Sequence, residues 1–554
     1  MTLPPKEKED IIKDDEKKSS IHEVIFPSSH EDNNTSSEKD HLQKASWQLK
    51  LSILILMLAL PEATMGTLKT SLKKSMQINN TQFSILLSSV TLVNTILPLL
   101  AGIFIDDLSS LGSIRGTTLV SIIIFIGSAM VSIAANENSY PIMVTGQIII
   151  GLGGGMIVTM QEGILSRWFR DKQLAIVIGI LLCIARLTKW VAKMVCYPIV
   201  NRIGSHTWPI HIATIFCALG VLTNAIYWLM MYQKGWATLA GREMAHPKAN
   251  YRNQFQQEQK PFKWSARLFL HVPATFWMVP WTQLIMSSVF SSFDDIATEF
   301  VQFRFQTTSV MAGYQSSLTQ VAPIVIAPVM GLLVHRYGRR LTSLFIATLV
   351  LLISLILLAY TWTVPAVGMI LFSIALALGP VSVLTSTALL LPHELAGTGM
   401  ALKKCSNNIG TTILSVLVGY VQDLTYHDGN PHDDVEDLKQ EYDGVMILYL
   451  VLACCSSLMV AIFWFMDRKL LDGWLQADKK ERERRLDIVA EQKQEKITDE
   501  SETAKALQRI GSYMRPTKSY IYISFYGFWL VVSWIVFFVF ALMPLYHDYD
   551  LEFA

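Results

Sequence analysis

The side chains best placed to do chemistry in this sequence are three basic residues inside an apolar segment at 174–200. Arg186, Lys189 and Lys193 are spaced three and four residues apart, so on an α-helix they share one face. Charges embedded in apolar sequence are costly unless a partner or a ligand compensates them. Arg186 and Lys189 are therefore candidate binding residues for a solute with an anionic group. Lys193 fits a ligand and a structural ion pair equally well.

Other polar residues in apolar segments are candidates to complete this site. Glu62 and Glu162 are acids that could pair with Arg186, although Glu162 is displaced by roughly 10–15 Å along a helix at about 1.5 Å per residue. A structural ion pair with either acid is the alternative to ligand binding by Arg186. Lys404 and Asn408 lie one helical turn apart in a later segment, and we predict that they face the same space.

No set of residues indicates an enzyme. The sequence shows no nucleophile–base pair and no metal-ligand spacing, so we expect no catalytic residue, no metal and no cofactor. The glycines at 151–155 lack the flanking strand and soluble helix of a dinucleotide-binding loop, and they indicate close packing between helices instead. The net charge of +1 says nothing about nucleic acid, and we predict no such partner.

The elements that must position these residues are membrane-spanning helices. The chain is 51% hydrophobic and 16% charged, whereas a soluble domain carries about 25% charged residues. About 20 apolar residues span the hydrocarbon core as a helix. Twelve such segments occur, at 47–67, 83–105, 117–135, 140–164, 174–200, 208–232, 267–292, 309–334, 341–362, 365–390, 396–421 and 444–466. The predicted fold is an all-α polytopic membrane protein with two six-helix halves.

The charged stretches divide the chain into regions. We predict a disordered cytoplasmic tail at 1–45, an N-terminal half at 46–232, a central cytoplasmic loop at 233–266, a C-terminal half at 267–466 and a charged linker at 467–518. An extra hydrophobic segment follows at 519–545. It is long enough to be a thirteenth span packed outside the bundle, and a re-entrant or interfacial helix is the alternative.

Basic residues place the N-terminus in the cytoplasm by the positive-inside rule. The first outer loop fits this orientation badly, because it holds Lys69, Lys73 and Lys74. Asp294, Asp295 and Glu299 follow the predicted seventh span, and we expect them to form a solvated rim rather than a binding site.

A repeated motif indicates how the two halves are related. The second helix ends in Gly102-Ile-Phe-Ile-Asp106, and the eighth ends in a glycine followed by a basic loop. The second copy resembles the loop signature of the major facilitator fold, with His335 where an acid usually stands. Its expected gating residues are Gly331, Arg336, Gly338, Arg339 and Arg340. The glycines would allow close helix packing, and the arginines would bridge helix ends.

The sequence also resembles the lysosomal dipeptide transporter group of the major facilitator superfamily, over most of residues 46–466. The matching stretches are Met76–Phe83, Gly102–Asp106, Gly146–Gly154, Ala185-Arg186, 326–334, Pro392-x-Glu394-x-x-Gly397-Thr398 and Asn408-Ile-Gly410. The resemblance implies export of dipeptides from an acidic lumen, with Arg186 holding the carboxylate. It also implies a glutamate in helix 4 where this chain has Gly155.

Together these features predict a transporter that moves a small polar solute through a lipid bilayer by alternating access. Dipeptides or related amino-acid compounds are the expected solutes, and the surplus of basic residues leaves an organic anion as an alternative. A non-transporting receptor or scaffold with the same fold is the other alternative. A motif at Glu7–Ile12 resembles an acidic dileucine sorting signal, which points to a vacuolar or lysosomal membrane, with the plasma membrane as the alternative. An accessory subunit is not predictable from the sequence.

Overall fold

The computed structural model of the chain describes residues 60–99, 113–168, 172–235, 237–239, 275–361, 364–390, 396–425, 435–478, 480–482, 484–485 and 516–552. Gly102, Asp106 and the sorting motif lie outside them. The first seven helices are α1 (Leu60–Thr67), α2 (Lys69–Met76), α3 (Asn80–Val93), α4 (Ser113–Glu137), α5 (Tyr140–Trp168), α6 (Lys172–Ile203) and α7 (Trp208–Gln233). Next come α8 (Met278–Arg304, with a π-helical turn at Gln283–Ser287), α9 (Ser309–Tyr337, with a 3-10 turn at Leu318–Gln320), α10 (Arg340–Tyr360), α11 (Pro365–Leu390), α12 (Ala396–Thr425), α13 (Val435–Leu470) and α14 (Pro516–Glu552).

The lengths and composition of these helices suit a membrane. Within the described residues, nine helices are long and apolar enough to cross one, including α3, α4, α10 and a stretch of α14 at Tyr520–Leu542. Two more, α6 and α12, have 32 and 30 residues and carry the embedded polar side chains. The start of the first predicted span, at 47–59, lies outside the described part of the chain.

Each half of the bundle has its own apolar core. In the N-terminal half, Leu68, Phe83 and Ala134 belong to one buried cluster drawn from α1 to α7. In the C-terminal half, Phe293 and Tyr449 belong to a larger cluster drawn from α8 to α13. The two halves meet where α3 packs against α12 and α6 packs against α9. Separate apolar cores joined by these contacts form the predicted two-part bundle.

Helix α8 extends beyond its predicted end. The hydropathy pattern places the end of the seventh span at residue 292, whereas the helix continues to Arg304. Asp294 and Glu299 therefore lie inside the helix and are buried. The predicted solvated rim is wrong, because lysines from the other half of the bundle compensate these acids within the packed interior.

The additional C-terminal segment forms one continuous helix of 37 residues. It packs across the junction of the two halves, against α3 and α12. Trp534 donates its indole N–H to Thr95 Oγ1 at 3.0 Å, and Phe537 is buried with Ile85 and Val416. The helix thus contacts both halves from the outside of the bundle.

Candidate functional site

A cavity of about 200 Å³ lies between the two halves of the bundle. Its polar lining from the N-terminal half consists of Thr91, Gln147, Arg186 and Lys189. The lining from the C-terminal half is richer, with Gln283, Ser287, Ser291, Asp294, Asp295, Asn407, Asn408 and Thr411. Because both halves contribute, a solute in this cavity would contact the two bodies that alternating access moves.

The structure brings together three of the six residues predicted to bind a ligand. Arg186, Lys189 and Asn408 line the cavity. Lys404 is half-buried one turn from Asn408 on α12 and is not among the lining residues.

For the two predicted acids, the structure describes the backbone position but not the side chain. Glu62 lies on α1 and Glu162 on α5, and both side chains are outside the described part of the structure. The pairing of either acid with Arg186 stays a prediction.

The charges of the cavity are separated between its walls. Helix α6 supplies Arg186 and Lys189 from one side, and α8 supplies Asp294 and Asp295 from the other. The sequence indicated a surplus of basic residues because it placed both acids outside the site. All four side chains line the same space, and Asp294 also forms an ion pair with Lys193, so the cavity holds charges of both signs.

A chain of hydrogen bonds connects Arg186 to a buried ion pair between the halves. Arg186 Nη1 donates to Gln320 Oε1 at 3.1 Å, and Gln320 Nε2 donates to Asp294 Oδ1 at 2.8 Å. The same carboxylate oxygen accepts from Thr319 Oγ1 at 2.8 Å and from Lys193 Nζ at 2.6 Å. Lys193 is 3% exposed and Gln320 is fully buried. The structure thus places Lys193 in an ion pair, and Asp294 anchors the amide that holds Arg186.

A second ion pair links the halves at the end of the bundle that carries Lys69, Asn80 and Asp423, which we call the outer end. Lys69 Nζ lies 2.6 Å from Glu299 Oε2 and donates to Gln422 Oε1 at 2.9 Å. Tyr442 donates its hydroxyl to the same carboxylate at 2.5 Å. Lys69 is fully buried, which explains why this lysine violates the positive-inside pattern.

The outer end is also joined through the start of α3. Asn79 and Gln82 form a capping box there, and Asp423 of α12 accepts hydrogen bonds from the backbone N–H groups of Asn80 and Thr81 at 3.0 and 2.8 Å. A carboxylate at a helix N-terminus is favoured by the helix dipole. The C-terminal half therefore caps a helix of the N-terminal half.

The predicted loop signature packs against the segment that follows α13. A Cβ on Gly338, which has φ of 70°, would collide with the carbonyl of Ala477. The Arg339 backbone donates to Gln476 O at 3.1 Å, and Arg340 is buried beside this segment. These contacts fit a loop that joins helix ends.

Two other signature residues are less constrained. Arg336 is exposed, and a Cβ at Gly331 would meet no atom within 4 Å in the described part of the chain. Close packing therefore does not explain that glycine.

Three of the glycines at 151–155, on α5, are packed closely, whereas a Cβ on Gly154 would meet no atom within 4 Å in the described part of the chain. A Cβ on Gly151 would lie 2.9 Å from Val90 O, and one on Gly153 would meet Ile124. At Gly155, the position of the expected family glutamate, a Cβ would collide with the side chain of Asn94. Gly155 does not line the cavity, so this chain has no place for a carboxylate there without a shift of Asn94.

Sequence reasoning missed Gln283, Gln320 and Asn407, and it misassigned Asp294 and Asp295. An amide inside an apolar run is a weak signal, because buried amides often satisfy backbone groups within the fold. The informative feature of Gln320 is its contact with Arg186, 134 positions away.

Comparisons with known proteins agree with this architecture. The family model described as Major Facilitator Superfamily matches residues 51–314 and 296–554. The lysosomal dipeptide transporter MFSD1 of Mus musculus is 22% identical over 425 residues, which cover 76% of this chain and 85% of the mouse protein. The Homo sapiens protein of the same name is 23% identical over 366 residues, covering 65% and 75%.

Two solved structures show the same fold. The nucleoside transporter NupG superimposes with a TM-score of 0.55 at 15% identity, covering 76% of this chain and 98% of that chain. A POT family transporter in complex with a thioalcohol-conjugated peptide gives 0.55 at 13% identity, covering 76% and 96%. With a family match along most of its length, and with two helical halves that enclose a polar cavity in the described part of the chain, this chain belongs to the Major Facilitator Superfamily.

Proposed function

We propose that this chain transports a small zwitterionic solute, a dipeptide or a related amino-acid compound, out of a vacuolar or lysosomal lumen by alternating access. The observation that carries the proposal is the separation of charge across the cavity between the halves. Arg186 and Lys189 on one wall suit a carboxylate, and Asp295 on the other suits an ammonium group. The relatives' names, which specify dipeptide transport in lysosomes, support the same solute class and membrane.

Arg186 is the residue that we assign to the solute carboxylate. Its guanidinium can form two parallel hydrogen bonds with a carboxylate, which an ammonium group cannot reproduce. Gln320 holds one of its nitrogens at 3.1 Å, so the side chain is oriented before the solute arrives. An organic anion is less well matched, because the opposite wall would place the carboxylate of Asp295 against it.

Uptake into proteoliposomes tests this function. Radiolabelled Ala-Ala should accumulate in vesicles that contain the purified protein, whereas alanine and succinate should compete weakly. Arg186→Ala should abolish uptake, and Arg186→Lys should lose most of it. Arg202→Ala is the matched control, because Arg202 is an exposed residue of the same helix. Succinate uptake that exceeds Ala-Ala uptake would favour an anion transporter, and no flux of any solute would favour a receptor or scaffold.

A further inference from the structure

Two buried hydrogen-bond acceptors in the cavity have no partner within the described structure. They are the side-chain carbonyl oxygens of Gln283 and Asn407, and both residues line the cavity. Gln283 is 6% exposed, so bulk water does not compensate the loss. Of the buried side-chain atoms without a partner in the described structure, these two belong to residues that line the cavity, so a solute there is the candidate partner for both.

The local fold directs both amides to the same wall. Gln283 is the first residue of the π-helical turn in α8, an irregularity that often marks functional sites. A Cβ on Gly410 would collide with Leu284 O of this turn, so α12 approaches α8 closely. Asn407 precedes Gly410 by about one helical turn, so it lies on the side of α12 that approaches the π turn.

The cavity wall of the C-terminal half complements the wall of the N-terminal half in hydrogen-bonding character as well as in charge. Arg186 and Lys189 on the wall of the N-terminal half offer donors only. Gln283 and Asn407 on the wall of the C-terminal half offer unsatisfied acceptors, and Asp295 adds a carboxylate. A solute that contributes a carboxylate to the first wall must therefore present N–H donors to the second.

The geometry points to a subsite for the protonated amino group of the solute, formed by Gln283, Asn407 and Asp295. An ammonium group has three N–H donors and one positive charge. Two carbonyl oxygens and one carboxylate match that number of donors, and the carboxylate balances the charge. The inference rests on the proposed function, because it assumes that the other end of the same solute is held at Arg186.

The test measures binding to the purified full-length protein by isothermal titration calorimetry. The probes are Ala-Ala and N-acetyl-Ala-Ala, which share a carboxylate and differ in the amino group. The wild type should bind Ala-Ala about tenfold or more tightly than the acetylated probe, because hydrogen bonds to a charged donor are strong. Asp295→Asn and the Gln283→Met/Asn407→Leu double variant should each lose most of this preference while their affinity for N-acetyl-Ala-Ala changes little.

Gln315→Met is the matched control, since Gln315 Oε1 is also buried with no hydrogen-bond partner among the described residues but does not line the cavity. It should retain the wild-type preference. The Asp295→Asn variant keeps the shape of the side chain, so it tests the subsite even if the double variant does not fold. Equal affinity of the wild type for both probes would overturn the subsite and leave dipeptide transport intact. Binding of neither probe would overturn both proposals, and equal weakening of both probes by Asp295→Asn would overturn the subsite.

Discussion

At the scale of single residues, the orientation of Arg186 depends on an amide that satisfies two neighbours at once. Gln320 accepts from the guanidinium and donates to Asp294. Asparagine and glutamine are the side chains that combine a carbonyl acceptor with an NH2 donor in this way. An ionised glutamate has no donor for Asp294, and leucine has neither group. Gln320 is therefore a positioning residue, which acts on the solute through Arg186.

Replacing Gln320 should impair solute binding more than folding. In Gln320→Leu, Asp294 keeps its bonds to Lys193 and Thr319, but Arg186 loses its hydrogen bond to Gln320 Oε1. Loss of one hydrogen bond of this type costs about 1–2 kcal/mol, so KM for Ala-Ala should rise about tenfold with a smaller change in maximal rate. Uptake kinetics in proteoliposomes and the Tm in detergent measure the two effects.

Two comparison variants distinguish a loss of Arg186 orientation from a general loss of folding stability. Gln315→Leu removes a buried amide elsewhere in α9 and should leave KM unchanged. Gln320→Glu puts a second carboxylate against Asp294 and should lower Tm as well as affinity. A Gln320→Leu protein with normal KM would show that Arg186 needs no such support.

The sequence reveals the face of α6 but not the partners of that face. Arg186, Lys189 and Lys193 follow helical periodicity, which is a local property and can be predicted. Their neighbours are not local: Lys193 pairs with Asp294, 101 positions away. A hydropathy pattern places the end of a span before an acidic residue. It cannot register that a lysine on a different helix compensates that acid inside the bundle. The same effect hid the true end of α8.

At the scale of elements, α14 is an addition whose docking depends on a few aromatic side chains. Trp281 lies 4.4 Å from Phe525 between ring centroids, and Trp277 stacks on Tyr522 at 6.0 Å. These tryptophans precede the π turn of α8, while Trp534 and Phe537 reach α3. The helix therefore contacts both halves that must move during alternating access.

Two neighbouring phenylalanines allow a direct test of this docking. Phe537 is 4% exposed and Phe538 is 47% exposed. Phe537→Ala should destabilise the protein by about 3–5 kcal/mol, as large-to-small changes in packed cores do, whereas Phe538→Ala should change stability by about 0.5 kcal/mol or less. Thermal unfolding in detergent measures both. Equal effects of the two variants would show that α14 is not docked through Phe537.

At the scale of the whole molecule, the two halves are held together at the outer end by buried charge. Lys69 of the N-terminal half pairs with Glu299 of the C-terminal half, and Asp423 caps α3 across the same junction. Opening the cavity to the outer side requires these contacts to separate. Their strength therefore contributes to the free energy that is needed to separate the two halves at this end of the bundle.

Removing one member of the outer ion pair should destabilise the protein. Removing both members should restore most of the stability and make exchange of the solute faster. Lys69→Met leaves Glu299, which is 2% exposed, partly stranded, with Lys73 Nζ at 3.6 Å from the carboxylate. The loss should therefore be smaller than the cost of about 3–5 kcal/mol for removing one member of an isolated buried pair. The Lys69→Met/Glu299→Gln double variant leaves no stranded carboxylate, so most of the lost Tm should return, and the coupling between the two changes measures the pair. Lys74→Met is the control, because Lys74 is an exposed lysine of the same helix. The double variant should also exchange Ala-Ala faster than the wild type in counterflow, since one of the buried ion pairs between the halves is lost. A double variant no more stable than Lys69→Met, or one with unchanged exchange, would show that this pair does not hold the outer end closed.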